Sequence, residues 1–363
     1  MDVGVVVALP RTEPERDDTP DCYGALSWLD DDEVMSMDPR FAPLNALIAF
    51  CSTTRTSWPR PMYDCGYQLA ALEFPAKAGN GRVVVDVVAW APNHTRLALG
   101  EAKAGANVDE AQAKRYSDVN PSTLVQTLNV TVTKADPPRA QIVYAVQAQH
   151  KDRVLLGLSK AGVTYPVLSI SATDVRRVGG EFDDPALVAA FAAPISVLSP
   201  PPGIITIDAE SSDAEFDAML NSSLVALASR QGESMTVRAL TEDAIRHLFL
   251  YPTGYQQRLV KKMESAARRA AAAAPETFSY TPPSAARSVG TVHVLDNPEN
   301  TDPRGRTQRY QALAARFASP TTKRKPRVDE AQLSFFPGGP DLESELAEVE
   351  GDDEYGPEGD SGS

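Results

Sequence analysis

Apolar positions repeat in two rhythms along this 363-residue chain, and the change of rhythm divides it. In the first half, β-rich runs alternate with helical stretches. The run Phe41–Cys51 is almost wholly apolar and predicts a buried helix. Three strand candidates follow. Tyr67–Phe74 ends at Pro75, Arg82–Trp90 follows Gly79-Asn80-Gly81, and Arg96–Lys103 follows Pro92-Asn93. A Gly-Asn-Gly between β-rich runs signals a hairpin. A helix begins near Val108, with Asn107 as N-cap and Glu110 three residues on, as in a capping box. Gln141–Val146 and Tyr165–Ser171 read as strands, separated by a helix over Lys151–Ala161 that Gly162 ends. Strands alternating with helices predict an α/β layer architecture.

Consecutive prolines in Ser199-Pro200-Pro201-Pro202-Gly203 cannot continue a helix or a ladder, so a boundary is expected there. Beyond it the period becomes helical: Phe216, Met219, Leu220, Leu224 and Leu227 share one face. Thr241 is expected to cap a second helix through Leu250, and Tyr255–Ala274 forms a third. Phe278–Tyr280 and Thr291–Leu295 are spaced for a hairpin. Three helices and then a hairpin is the order of a winged helix. The expected organisation is an acidic, largely irregular segment over 1–39, an α/β domain over 40–199, a helical domain over 204–320 and a disordered acidic tail over 321–363.

The net charge of −14 is unevenly placed. Residues 1–38 carry −9 and residues 340–363 carry −10, which leaves the stretch between them at +5; within it, 230–328 carries +9. A basic module between acidic ends suits a nucleic-acid partner. Ala186–Leu198, the longest apolar run at 13 residues, is too short to cross a bilayer, and Asp2 stands where a secretory signal would be basic. Cys22, Cys51 and Cys65 are odd in number and form no C-x-x-C, against a disulfide framework or a structural zinc site. A cytoplasmic, soluble protein without a membrane partner is expected. No G-x-x-x-x-G-K-[ST] or G-x-S-x-G occurs, so no nucleotide cofactor is expected, and His94, His150, His247 and His293 lack metal-ligand spacing. His94, in the turn between two strands, is the histidine that merits a test.

Candidate chemistry lies in the central strands. Asp86 interrupts Val83-Val84-Val85-Asp86-Val87-Val88, where a carboxylate is costly to bury unless it is paired or binds a cation. Glu101 and Lys103, two apart at the end of the next strand, share a face. If the strands pair, Asp86 and Glu101 converge on one hard cation beside Lys103, and Mg²⁺ is the expected ion, with Mn²⁺ as a substitute. In the following helix Gln112 and Tyr116, four apart, share one face. The bland alternative is an edge-strand acid and an ordinary exposed Glu–Lys pair.

Asp86, then Glu101-Ala102-Lys103, then Gln112-x-x-x-Tyr116 resembles the PD-(D/E)xK nuclease superfamily, and its RecB-like branch in the Q-x-x-x-Y helix, over roughly residues 40–200. The resemblance implies a restriction-endonuclease-like core: a mixed sheet flanked by helices. It also implies that Asp86, Glu101 and the Ala102 carbonyl bind Mg²⁺, that Lys103 orients water or neutralises charge, and that Gln112 and Tyr116 hold Lys103 or a DNA phosphate. Val85 stands in place of the nominal proline. No acid lies in the Phe41–Cys51 helix, where many members carry one; Glu73 or Glu33 is the available substitute. The cysteines do not match the iron–sulfur cluster of some relatives, so no cluster is expected.

In a winged helix, the third helix enters the major groove. Arg258, Lys261, Lys262, Arg268 and Arg269 would then meet DNA, with Arg287 and Arg304-Gly305-Arg306 adding backbone contacts; a solvated basic face on a structural helix is the alternative. In the tail, Gln332-Leu333-Ser334-Phe335-Phe336 resembles the bacterial sliding-clamp binding pentapeptide, with Phe335 where Leu is usual. By that resemblance Leu333, Phe335 and Phe336 enter a hydrophobic groove of the clamp while Gln332 hydrogen-bonds; docking on the chain's own core is the alternative. The expectation is a Mg²⁺-dependent DNA nuclease delivered by a helical module and a clamp motif, in repair or in defence against foreign DNA. A non-catalytic DNA-binding adaptor that tethers a partner to the clamp, or a nuclease subunit of a multi-protein restriction or defence complex active only with its partners, remains open beside it.

Overall fold

The run Ala42–Cys51 carries no charge, and it forms the helix α1, buried at nine of its ten positions. Such a helix is stable only inside a core. The computed structural model describes residues 38–295 except 54–56, 131–135, 229–232 and 285–287, and these described residues belong to one compact unit. The expectations placed on 1–37, on Arg287 and on everything after 295, including the tail motif, lie outside the described residues.

Seven strands form one mixed sheet in sequential order: β1 (Gln68–Ala78), β2 (Gly81–Ala91), β3 (Arg96–Lys103), β4 (Arg139–Gln147), β5 (Val167–Ile170), β6 (Asp174–Gly179) and β7 (Ile195–Ser196). β3, β4 and β5 run parallel; the other neighbours are antiparallel. The two parallel crossovers carry α3 (Glu110–Tyr116) and α4 (Pro121–Leu128), then α5 (Lys151–Lys160), after the short α2 (Pro61–Asp64) has led into β1. Ala113, Tyr116, Leu124, Val125, Val154 and Leu158 of these three helices share one core with Val83, Val85, Leu97 and Leu99. Helix α1 packs on the other face. The molecule is thus α/β, a seven-stranded mixed sheet flanked by helices, as the alternation predicts.

Several boundaries differ from the sequence-based expectations, each for a physical reason. β1 runs through Pro75 because it is the sheet's edge strand, where a missing N–H breaks no ladder bond. The cap of α3 is Asp109, whose carboxylate accepts from Gln112 N at 2.9 Å, and not Asn107. Thr241 does not start a helix: Thr236 caps α8 (Val237–Ala244), and the buried Thr241 hydroxyl donates to Val237 O within it. A separate 3₁₀ turn at Leu248–Leu250 follows. The sheet also holds β6 and β7 beside α6 (Pro185–Ala190), which the apolar pattern does not reveal.

After the proline run, Ile205 and Ile207 enter the same core as α1. Asn45 fixes them there. Its amide donates to Ile205 O at 2.9 Å and accepts from Ile205 N at 2.7 Å, both fully buried. Arg40 bonds Ser211 Oγ at 2.8 Å and Glu215 Oε1 at 2.9 Å. The segment then continues as α7 (Asp213–Ala228), β8 (Ser234–Thr236), α8, α9 (Thr253–Ala273), β9 (Phe278–Thr281) and β10 (Thr291–Val294). The three short strands pair in the order β8-β10-β9. Phe216, Leu220, Leu240, Leu259 and Met263 extend the α1 core without a break. Among the described residues no helix is long and apolar enough to cross a membrane.

Removing the Asn45 clamp leaves a buried N–H and a buried C=O without partners, so Asn45→Ala should cost about 2–3 kcal/mol in urea unfolding. Tryptophan fluorescence and far-UV circular dichroism should report one coincident transition, because the core on the α1 face joins the sheet to α7, α8 and α9. A loss below about 0.5 kcal/mol, or two separated transitions, would contradict this packing.

Candidate active site

β2 and β3 pair from Ala91↔Arg96 as far as Val87↔Gly100, and there the ladder ends. Gly100 is required at this level because a Cβ would lie 2.9 Å from Leu47 Cδ1 of α1 and 3.2 Å from Val87 Cβ. One step further, Asp86 Oδ2 accepts a 2.6 Å hydrogen bond from Ala102 N, taking the place of a backbone partner. Asp86 is therefore fixed beside Glu101, as the register argument requires.

The hairpin changes phase at this level. Val83 and Val85 bury into the core under α3 and α4, whereas Val87, Ala89 and Ala91 bury into the core under α1. On β1, Phe74 and Leu72 divide between the same two cores. The residue between them, Glu73, has φ +48°, a left-handed conformation that a non-glycine side chain adopts at a cost of roughly 1–2 kcal/mol. This switch sets Glu73 and Asp86 at the same level of neighbouring strands.

Glu101 is 3% exposed and held on both oxygens. Lys103 Nζ lies 2.7 Å from Oε1. The Tyr116 hydroxyl and, at 3.5 Å, Gln112 Nε2 reach Oε2. Gln112 Nε2 also lies 3.3 Å from the Tyr116 hydroxyl, which is itself 2.8 Å from Val84 O. Asp86, Glu101, Ala102, Lys103, Gln112 and Tyr116, all six singled out from the sequence, therefore come together. In this arrangement Gln112 and Tyr116 hold Glu101 and not Lys103.

The electrostatics are those of crowded carboxylates. Burial, then Glu101 and Glu73, push the Asp86 pKa well above the ordinary carboxylate range; the Ala102 N–H and Lys103 oppose this only in part. Glu73 is raised to about 7, chiefly by burial and then by Glu101 and Asp208, with Arg258 opposing. Burial and Glu101 also push the Tyr116 phenol up, so it stays a proton donor. Among the described residues no three His, Cys, Asp or Glu side chains gather as a ready metal cage. The donors on offer are the oxygens of Asp86 and Glu101 with the Ala102 backbone, a hard, all-oxygen set.

Other candidates fall elsewhere. His94 occupies the turn at the far end of β2 and β3, beside Gly66 and away from Asp86. Glu33 lies outside the described residues; among the described ones Glu73 is an additional acid that acts on Asp86. On α9, Lys262 and Arg269 turn toward α7: Lys262 Nζ lies 3.5 Å from Ser211 O, and Arg269 pairs with Asp213 and Asp217. Arg258, Lys261 and Arg268 stay exposed, with Arg268 paired to Glu264 four residues back. The sequence offered no signal for the left-handed backbone at Glu73 or for the role of the Val84 carbonyl.

Two outcomes test this geometry. Glycine relieves a left-handed backbone, so Glu73→Gly should be more stable than Glu73→Ala by about 1 kcal/mol, the reverse of the usual order in strands. Equal stabilities, or Ala above Gly, would refute the backbone switch. Asp86→Asn removes a charge and keeps an acceptor for Ala102 N. A carboxyl whose pKa is raised on folding contributes most at acid pH, and its contribution falls as pH rises from its ordinary value of 3.8. Asp86→Asn should accordingly melt about 3 °C or more above wild type at pH 8 in EDTA, with the gap closing toward pH 4. A lower melting point at pH 8 would contradict the crowding.

Compared with known proteins, the chain matches no family model, no curated protein and no solved structure.

Proposed function

We propose that this chain is a metal-dependent DNA nuclease that hydrolyses phosphodiester bonds. The observation that carries the reading is the pair of carboxylates, Asp86 and Glu101, fixed side by side where β2 and β3 part, with Lys103 on one Glu101 oxygen. A like-charged pair in an apolar setting stays ionised only with a cation beside it; without one, a member takes up a proton, as the raised Asp86 pKa indicates. The residues fit Mg²⁺, or Mn²⁺ in its place, through Asp86, Glu101 and the Ala102 carbonyl. Such an ion supplies polarisation of a phosphoryl oxygen and a water of lowered pKa. Lys103, 18% exposed, keeps its ammonium at the mouth of the site, where it orients water or offsets negative charge on the phosphate. Tyr116 and Gln112 lock the Glu101 rotamer. The sheet, with its helices on both faces and acids at the fork, supports a restriction-endonuclease-like core over 40–199.

The order α7, β8, α8, α9, β9, β10 supports a winged-helix reading for the segment after residue 204. Its third helix carries Arg258, Lys261 and Arg268 on one exposed stripe, which suits phosphate contacts. Gln332, Leu333, Phe335 and Phe336 support recruitment by a bacterial sliding clamp, and cytoplasmic work on replicating, repaired or foreign DNA follows from these parts together. A second reading is a DNA-bound adaptor without activity. Its support is that both Glu101 oxygens are already taken up by Lys103 and Tyr116.

Incubation with circular, linear and single-stranded DNA in Mg²⁺, Mn²⁺ or EDTA separates the two. The nuclease reading expects metal-dependent degradation that falls at least about 100-fold in Asp86→Asn and in Lys103→Ala, with DNA binding kept. No cleavage of any substrate with binding intact favours the adaptor. Cleavage undiminished in Asp86→Asn would remove the site.

A further inference from the structure

Three acids stand in a row across the sheet where the β2–β3 ladder ends. The pairs Leu72↔Val87 and Phe74↔Val85 set Glu73 opposite Asp86, and the pair Val87↔Gly100 sets Asp86 beside Glu101. Neighbouring strands lie about 4.8 Å apart, so the row spans roughly 10 Å. A nucleic acid that approaches it is a polyanion approaching three carboxylates. A cation held by Asp86 and Glu101 offsets two of them and leaves Glu73. Lys103 closes the row at the Glu101 end, with Nζ 2.7 Å from Oε1. The Glu73 end is met by the helical segment.

The 3₁₀ turn at Leu248–Leu250 packs against β1, and Leu248 and Tyr251 share a buried core with Leu72, the neighbour of Glu73. From this root three flat groups stack. The Tyr251 and Tyr255 rings lie 4.7 Å apart and 7° from parallel, and the Arg258 guanidinium covers the Tyr255 ring at 4.8 Å. Tyr251 is buried, and the Tyr255 hydroxyl accepts from Ala209 N at 3.2 Å, so both rings are anchored. Arg258 is exposed and forms no ion pair with a described carboxylate. Its charge nevertheless acts on Glu73, opposing the rise that burial, Glu101 and Asp208 cause. Glu73 in turn acts on Tyr251 and Tyr255. A guanidinium with one face on an aromatic ring keeps its N–H fork free for an oxyanion and loses little freedom on binding one.

We propose that Arg258 is a substrate-binding residue of the active site: its guanidinium, carried on the Tyr251–Tyr255 stack, takes the phosphate next to the one held at Asp86 and Glu101. The helical segment then completes the cleft from the β1 side, as Lys103 does from the β3 side. This assignment rests on the nuclease reading and extends it, because it makes Arg258 a part of the cutting site and not only of the exposed stripe of α9.

The placement is tested without activity, by thermal melting of the full chain in EDTA at pH 8. Arg258→Ala should lower the melting temperature by about 1 °C or more beyond what it does in a Glu73→Gln background, since the stacking lost is common to both and the attraction is lost in the first alone. The phosphate contact is tested on a DNA that the wild type cleaves in Mg²⁺, with the linkage on either side of the cut replaced in turn by an uncharged methylphosphonate. One of the two replacements should lower the wild-type kcat/KM at least about 10-fold and that of Arg258→Ala less than about threefold, because the variant has already lost the cation. On unmodified DNA Arg258→Ala should fall at least about 10-fold and Arg258→Lys by less, while Lys160→Ala on α5 should stay within about twofold of wild type.

Equal penalties in wild type and Arg258→Ala at both linkages, or no coupling between Arg258 and Glu73, would overturn the proposal and leave the nuclease reading standing. If the wild type cleaves no DNA, the nuclease reading falls and the proposal with it.

Discussion

Carboxylates brought together inside a sheet repel one another and lose the water that would screen them, and much of this structure can be understood as the means of holding them there. Asp86 is fixed by one backbone N–H and Glu101 by a lysine, a tyrosine and a glutamine. Glu73 is brought to the same level by a backbone conformation that is itself unfavourable. Strain and charge crowding at one place point to function, because nothing in folding alone selects for them. The surrounding fold supplies the rigidity: α1 closes on Gly100 from one face and α3 closes on Glu101 from the other.

The helical segment is bound into the same frame. Asn45 clamps the chain just after the proline run, Arg40 reaches α7, and the apolar core passes from α1 into α7 and α9 without interruption. Arg258 at the start of α9 acts electrostatically on Glu73. The exposed stripe of α9 and the carboxylates are therefore parts of one body, and under the proposed nuclease reading a nucleic acid held by the one would have a set position relative to the other.

The sequence made the hairpin legible because Gly79-Asn80-Gly81 forces a turn and the flanking runs pair in only one register. The next pairing, β2 with β3 across the Pro92-Asn93 turn, placed Asp86 against Glu101, and helical spacing placed Gln112 with Tyr116. What stayed hidden depends on assembly. Pro75 reads as a strand end until β1 is known to be the edge of the sheet. The backbone angle of Glu73 leaves no trace in residue type. Lys262 and Arg269 look like free surface cations until α7, some fifty residues earlier, brings Ser211, Asp213 and Asp217 to meet them. Helix α4 is absent from the sequence-based expectations because its apolar period is short, although Asn120-Pro121, a cap followed by a first-turn proline, marks its start.

The central claim is that a divalent cation relieves the crowded acids at Asp86 and Glu101, and calorimetric titration of the full chain with Mn²⁺ near pH 6.5, in buffers of different ionisation enthalpy, tests it most directly. The account predicts binding accompanied by proton release, because the raised carboxyls give up protons to the metal, and loss of both binding and proton release in Asp86→Asn. Binding without proton release, or undiminished binding in Asp86→Asn, would contradict it.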